Sequence, residues 1–176
     1  MAVEQATRQQ IIDQASDLAF RYEQAYGSCS QCVLRAMQEV FGLISDDTLK
    51  AGYGLAGGGG ATGRGTCGAL AAGMMAVSAR YGRDKSQMDQ GLPFRPFALA
   101  REVMDRFVAV YGSPICADVQ RSVFGRCYDF YSKDDYEAFE KAGGHIDKCP
   151  GVAGNAARFA AEVLMEAEEQ DRAKST

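Results

Sequence analysis

A chain of 176 residues is long enough to bury the core of one domain. Its formal charge of −4 and pI near 5.1 leave no basic footprint for nucleic acid. No apolar run reaches the length of a membrane span and MAVEQATRQQ is no secretory signal, so a soluble, cytoplasmic protein is expected, without membrane insertion.

Ile11, Ala15, Leu18, Tyr22 and Ala25 recur at spacings of three and four up to Gly27, which predicts a first helix whose work is packing. Val33, Leu34, Met37, Val40 and Phe41 give a second, closed by Gly42, with Ser28 or Ser30 as its cap. Cys29 and Cys32 fall in or beside its first turn. Their C-x2-C spacing suits a redox pair or half of a metal site, while Cys32 serves equally well as a small core residue. A short helix led by Ser45-Asp46-Asp47 then breaks into a glycine loop, with eight glycines between Gly54 and Gly68. Backbone so rich in glycine adopts conformations that other residues resist, or presses close to something.

The run from Ala69 to Val77 is apolar all round, the mark of a buried helix, and Gly82 stops it. The loop therefore delivers Cys67 to the first turn of the central helix, where N–H groups favour a thiolate and Arg64 adds positive charge nearby. Gly63-x-Gly65-x-x-Gly68 matches a dinucleotide fingerprint in letters only, since no strand precedes it. Arg64-Gly65 stands where a P-loop needs Lys and Ser or Thr.

Arg83 to Pro96 reads as a connection with Phe94 as an aromatic anchor. A helix follows over Ala100, Val103, Met104, Phe107, Val110 and Tyr111, ended by Gly112. Ser113 as N-cap and Pro114 as first helical residue place Cys116 in the first turn of the next helix. Cys127 has no clear element around it. Ser132-x-x-Asp135 opens a short helix stopped by Gly143-Gly144. Pro150 opens the last helix with Cys149 at its N-cap, and residues 165–176 are expected to fray. His145, the single histidine, either completes a Cys3His set with Cys149 or is a solvated loop residue, the commoner outcome.

Six cysteines in reducing surroundings point to catalysis or metal binding rather than stapling. Cys29, Cys67, Cys116 and Cys149 each fall at the start of a different predicted helix, where thiolates are stabilised. The expectation is an all-α single domain over residues 1–176, of six or seven helices around the Ala69–Val77 helix, with these starts converging on one pocket. Thiol–disulfide exchange is the leading chemistry: Cys67 attacks and Cys29 or Cys32 resolves, with no cofactor required. The alternative is a zinc or iron–sulfur site with Cys29, Cys67, Cys116 and Cys149 as ligands. The third reading is a binding scaffold whose cysteines are inert.

The chain resembles the C-GCAxxG-C-C family, small redox-active proteins with four characteristic cysteines. The resemblance rests on Cys29 in SCSQCVL, Cys67-Gly68-Ala69 in TCGALAAG, Cys116 in SPICADV and Cys149 in KCPGVAG. It spans about Tyr22 to Leu164 and departs at Ala72, where the motif has its last glycine and this chain places Gly73 one residue later. Cys32 and Cys127 are extra to the four. The resemblance implies redox chemistry, as a thiol–disulfide oxidoreductase or electron-transfer protein serving a partner protein or small thiol, with oligomerisation open. The family is also similar to a part of split-Soret cytochromes, but no C-x-x-C-H is present for covalent haem.

Overall fold

The structure, a computed structural model, describes residues 7–175. Among these it is all-α: eight α-helices and no strand, with a single isolated bridge between Thr66 and Ile115. The first helix, α1 (Arg8–Tyr26), opens on a capping box in which Thr7 Oγ1 accepts from Gln10 N–H and the Gln10 side chain accepts from Thr7 N–H. Its buried line is Ile12, Ala15, Ala19 and Glu23, one step round from the predicted stripe. The physical reason is close approach: the small residues face the last helix, whose Gly154 lies so near that a Cβ there would sit 3.1 Å from Ser16 O. Leu18 and Tyr22 pack at the flanks instead.

Helix α2 (Cys29–Phe41) buries Val33, Leu34, Ala36 and Met37 and ends at Gly42. Neither serine caps it as expected. Ser28 holds a left-handed backbone at φ +64°, an uncommon conformation for a residue with a side chain, while Ser30 Oγ donates to Gly52 C=O at 2.7 Å. That buried bond ties the start of α2 to the turn that leads into the glycine loop. Ser30→Ala is expected to cost about 1–2 kcal/mol in urea unfolding, because a buried carbonyl loses its donor.

Helix α3 (Asp46–Ala51) runs through a 3₁₀ turn, Gly52–Leu55, into the loop. Gly57, Gly58, Gly59 and Gly60 all hold positive φ. Gly58 could carry no other residue, since a Cβ on it would meet Cys116 Cβ at 2.7 Å. The loop is no flexible linker. Its Gly65 and Gly63 carbonyls accept from the Cys116 and Ala117 N–H groups, the unpaired donors at the start of α6 (Cys116–Phe124), and Cys67 N–H donates to Pro114 C=O. Glycine backbone therefore performs the capping expected of Ser113 and Pro114. Ile115 is the actual N-cap, and Ser113 Oγ is taken up by Asp118 Oδ2 and Ile115 N–H.

Helix α4 (Gly68–Tyr81) is apolar all round and packs on α2, on α5 (Phe94–Tyr111) and on α8 (Cys149–Lys174). It shares the centre with α8, which also meets α1 and α2 and has eleven buried residues. Phe94 is no anchor: it begins α5 and is 79% exposed. Nor does the described end of the chain fray before Lys174. Arg106 bridges Glu162 and Glu166, Arg8 reaches Glu166, and Arg95 reaches Asp171, so α5 and α1 hold the last turns of α8. Helix α7 (Lys133–Lys141) leads through a π-helical turn, Gly144–Lys148, straight into α8. Phe139 on α7 is buried at the hub of Phe124, Tyr128, Phe130, Tyr136 and His145.

Candidate functional site

The starts of α2, α4, α6 and α8 meet at a cavity of about 820 Å3. Cys29 is the first residue of α2, Cys67 the N-cap of α4, Cys116 the first residue of α6 and Cys149 the first residue of α8. All four line this one cavity, together with the glycine loop. The other two cysteines do not line it. Cys32 is buried below, its Sγ donating to Gly27 C=O at 2.8 Å, and Cys127 sits half-buried with its Sγ 3.7 Å from Tyr128 O.

Within the cavity Cys29 Sγ packs against Gly68, the residue that follows Cys67, and the two thiols share one question: which carries the charge. The electrostatics of the fold favour charge on Cys29 rather than on Cys67, the residue the sequence points to. The Cys67 thiol donates toward Cys29, and backbone amides of Gly57, Ala69 and Ser30 also favour the Cys29 anion, so its pKa is lowered despite burial. Ala69 belongs to the first turn of α4 and Ser30 to the first turn of α2, so two helix ends act on one sulfur. Cys67 is pushed well up, by the neighbouring Cys29 first and by burial next, with a single backbone amide, that of Leu70, in opposition. Arg64, the cation expected to help Cys67, is exposed and lies outside the cavity lining.

Gly68 explains how Cys29 reaches that position. A Cβ at Gly68 would stand 2.8 Å from Cys29 Sγ, 2.8 Å from Leu55 O and 2.9 Å from Ala56 Cα. The glycine that follows Cys67 thus makes room for the sulfur of another helix. Cys116 and Cys149 remain neutral thiols. Burial is the main cause in each, raising Cys116 to about 12 and Cys149 well above its ordinary value, and Cys29 adds repulsion. Gln120, itself buried, offers its Nε2 to Cys116 Sγ at 3.7 Å.

Three further groups line the cavity: Glu23, which the sequence did not point to, Ser28, expected only as a cap, and His145, expected as a ligand beside Cys149 or as a solvated loop residue. Glu23, on the helix assigned only to packing, is 2% exposed; the Cys32 thiol lies against its carboxyl, while its Oε2 has no hydrogen-bond partner. Ser28 Oγ is likewise buried and unpartnered. His145 is no solvated loop residue: its Nδ1 hydrogen-bonds Glu140 Oε1 at 2.6 Å, its Nε2 lies 3.9 Å from Glu23 Oε1, and its ring packs edge-on against Phe139. The available signal for Glu23 was its place four residues after Ala19, on the line that is in fact buried.

Burial pushes the Glu23 carboxyl up to about 8, with Cys29 adding to the rise. A carboxyl raised in the folded state contributes its stability below its unfolded pKa, and that contribution is lost as pH rises through the folded value. Glu23→Gln, neutral throughout, removes the slope. Urea unfolding at pH 5 and pH 9 is therefore expected to shift the stability difference by more than about 1 kcal/mol in favour of the variant at the higher pH.

Among the described residues no three histidine, cysteine, aspartate or glutamate side chains are grouped so as to hold one metal ion. No described helix is long and apolar enough to cross a membrane. The family model "Putative redox-active protein (C_GCAxxG_C_C)" matches residues 27–163, from the residue before Ser28 to the middle of α8, and the chain belongs to that family. Comparison with curated proteins and with solved structures found no significant match.

Proposed function

We propose that this member of the C_GCAxxG_C_C family is a cytoplasmic thiol–disulfide redox protein in which Cys29 attacks and Cys67 resolves. The observation that carries the reading is the place of Cys29 and Cys67 at one cavity, with Cys29 Sγ packed against the glycine that follows Cys67 and amides from two helix starts and the glycine loop favouring charge on Cys29. A thiolate is the attacking species in disulfide exchange, and a buried neutral thiol beside it is the natural second partner.

The Cys29 thiolate attacks one sulfur of a disulfide substrate. The substrate S–S bond breaks, a thiolate leaves and takes a proton from solvent, and a mixed disulfide remains on Cys29. Cys67 then gives up its proton and attacks Cys29 Sγ, which releases the second half of the substrate. Two protein thiols are oxidised to one disulfide and one substrate disulfide is reduced to two thiols. A small thiol or a partner redox protein returns the pair to the dithiol. Cys116, buried, and Cys149, half-buried, keep their protons and do not compete for the charge.

The competing reading assigns Cys29, Cys67, Cys116 and Cys149 to zinc or an iron–sulfur cluster. The spread of these side chains, with no group of three fit to share an ion, favours exchange. Anaerobic purification followed by metal analysis, an absorption spectrum and thiol counting decides between them. The expected result is no stoichiometric metal and reversible loss of two thiols on mild oxidation. Stoichiometric zinc or iron, with the thiol count unmoved by oxidant, would overturn the exchange reading.

A further inference from the structure

We propose that the cysteine cavity selects an organic cation: a disulfide whose ammonium group is held by Glu23 among the aromatic rings while its sulfur reaches Cys29. The covalent step rests on the thiol–disulfide reading, whereas the recognition of the cation stands on the walls of the cavity.

The first observation is the charge of those walls. The ionisable side chains lining the cavity, besides the thiols and tyrosines, are Glu23, Glu140 and His145, and no lysine or arginine is among the described lining residues. The four helix starts supply partial positive charge, but it is directed at the protein's own sulfurs, Cys29 above all. A foreign anion would meet the Cys29 thiolate and Glu140 with no lysine or arginine to offset them. A cation meets attraction from each.

The second observation is the pair of buried polar atoms without partners, Glu23 Oε2 and Ser28 Oγ, both on lining residues. Buried polar groups are nearly always satisfied, so an orphaned carboxyl oxygen and a hydroxyl on one cavity wall call for a partner from outside the chain. Burial keeps the Glu23 carboxyl protonated at pH 7, and an entering ammonium displaces that proton to solvent, since the carboxylate so formed takes only donors and a charged donor offsets the cost of burying it. An ammonium group meets both needs, with Ser28 Oγ as a second acceptor.

Third, the remaining wall is aromatic. Tyr26, Phe130, Tyr131, Tyr136 and Phe139 line the cavity, and Tyr26 and Tyr131 stand 79% and 77% exposed. Tyr131 is held in place by its hydroxyl, which donates to Gly60 C=O at 2.8 Å. Ring faces attract ammonium ions, most strongly where water is excluded. Aromatic rings and a buried carboxyl in the lining of one cavity suit a small molecule with a cationic group.

The test has a covalent and a non-covalent arm. Reduced protein is reacted with cystamine, which carries two ammonium groups, with the neutral bis(2-hydroxyethyl) disulfide, and with anionic oxidised glutathione. Each rate is divided by that of the same disulfide with a free small thiol, so that intrinsic reactivity cancels. Cystamine is expected to lead the neutral disulfide by about tenfold or more, the difference one charge-assisted hydrogen bond supplies, with glutathione disulfide last. In Glu23→Gln the ratio of cystamine to the neutral disulfide should collapse toward about one. Calorimetry with 1,6-diaminohexane, the carbon counterpart of cystamine, should show binding to reduced wild-type protein that 1,6-hexanediol does not; this comparison needs no variant. Equal corrected rates for the three disulfides, with no diamine binding, would overturn the cation inference and leave exchange standing. Diamine binding that depends on Glu23, with none of the disulfides reacting, would uphold the cation site and overturn exchange. A cystamine preference unaltered in folded Glu23→Gln would remove Glu23 as the anchor and overturn the proposal as stated.

Discussion

In the reduced protein at pH 7, iodoacetamide is expected to alkylate Cys29 at least about tenfold faster than Cys67, Cys116 or Cys149. The four sulfurs share a cavity but not an environment. Cys29 alone has its pKa lowered, by the Cys67 thiol and by amides at two helix starts, while the neighbouring Cys29 and then burial raise Cys67, and burial raises Cys116 and Cys149. Cys29 and Cys149 are half-buried where Cys67 and Cys116 are buried, so access as well as charge sets Cys29 apart from Cys67 and Cys116, and charge alone sets it apart from Cys149. The Cys29 rate should rise with pH to a midpoint below that of an ordinary thiol. Cys29→Ser should abolish reversible thiol oxidation, lowering exchange with a small disulfide by at least about a hundredfold, since no other lining thiol is poised as an anion. Cys67→Ser should do something different. A serine hydroxyl still donates toward Cys29, so alkylation of Cys29 persists, but the reaction halts at the mixed disulfide, visible by mass spectrometry as an adduct on Cys29. Fast alkylation of Cys67 with a sluggish Cys29 would reverse the assignment of roles.

Gly68→Ala is expected to damage stability and reactivity together. Its new methyl would fall 2.8 Å from Cys29 Sγ and from Leu55 O and 2.9 Å from Ala56 Cα, and two of those three neighbours are backbone. Neither the loop nor the start of α4 can yield cheaply, because Gly57 and its successors are fixed by their own hydrogen bonds. The overpacking should cost about 1–3 kcal/mol in urea unfolding, beyond the small gain in helix propensity. The decisive readout is chemical: the Cys29 sulfur is forced away from the Ala69 amide, and its alkylation at pH 7 should slow toward that of an ordinary buried thiol. Unchanged alkylation in a folded Gly68→Ala protein would show that the helix start does not govern Cys29.

The helix starts were legible because the chain marks them locally. Gly42, Gly82 and Gly112 end helices, Pro150 begins the last one, and the cysteines stand beside such signals, so their convergence was an inference from position alone. What was not legible depends on contacts far apart in sequence. Cys67 was expected to carry the charge because its own helix was in view. Of the amides that act on Cys29, that of Ser30 is local, but those of Gly57 and Ala69 lie about thirty to forty residues away and enter only through the folded loop. The same holds for α1. The bulky residues Leu18 and Tyr22 drew the apolar face toward themselves, whereas the fold buries small alanines against α8 and takes Glu23 inside with them. The end of α8 looked too acidic to persist because the arginines that hold it lie on α1 and α5.

Disulfide mapping tests the central claim most directly. Reduced protein is oxidised mildly with one equivalent of a small disulfide, its remaining thiols are blocked, and it is digested without reductant for mass spectrometry. A single new cross-link between the Cys29 and Cys67 peptides, reversed by reductant, is the result the account predicts. A Cys29–Cys32 cross-link, or one joining Cys116 to Cys149 with Cys29 left free, would contradict it.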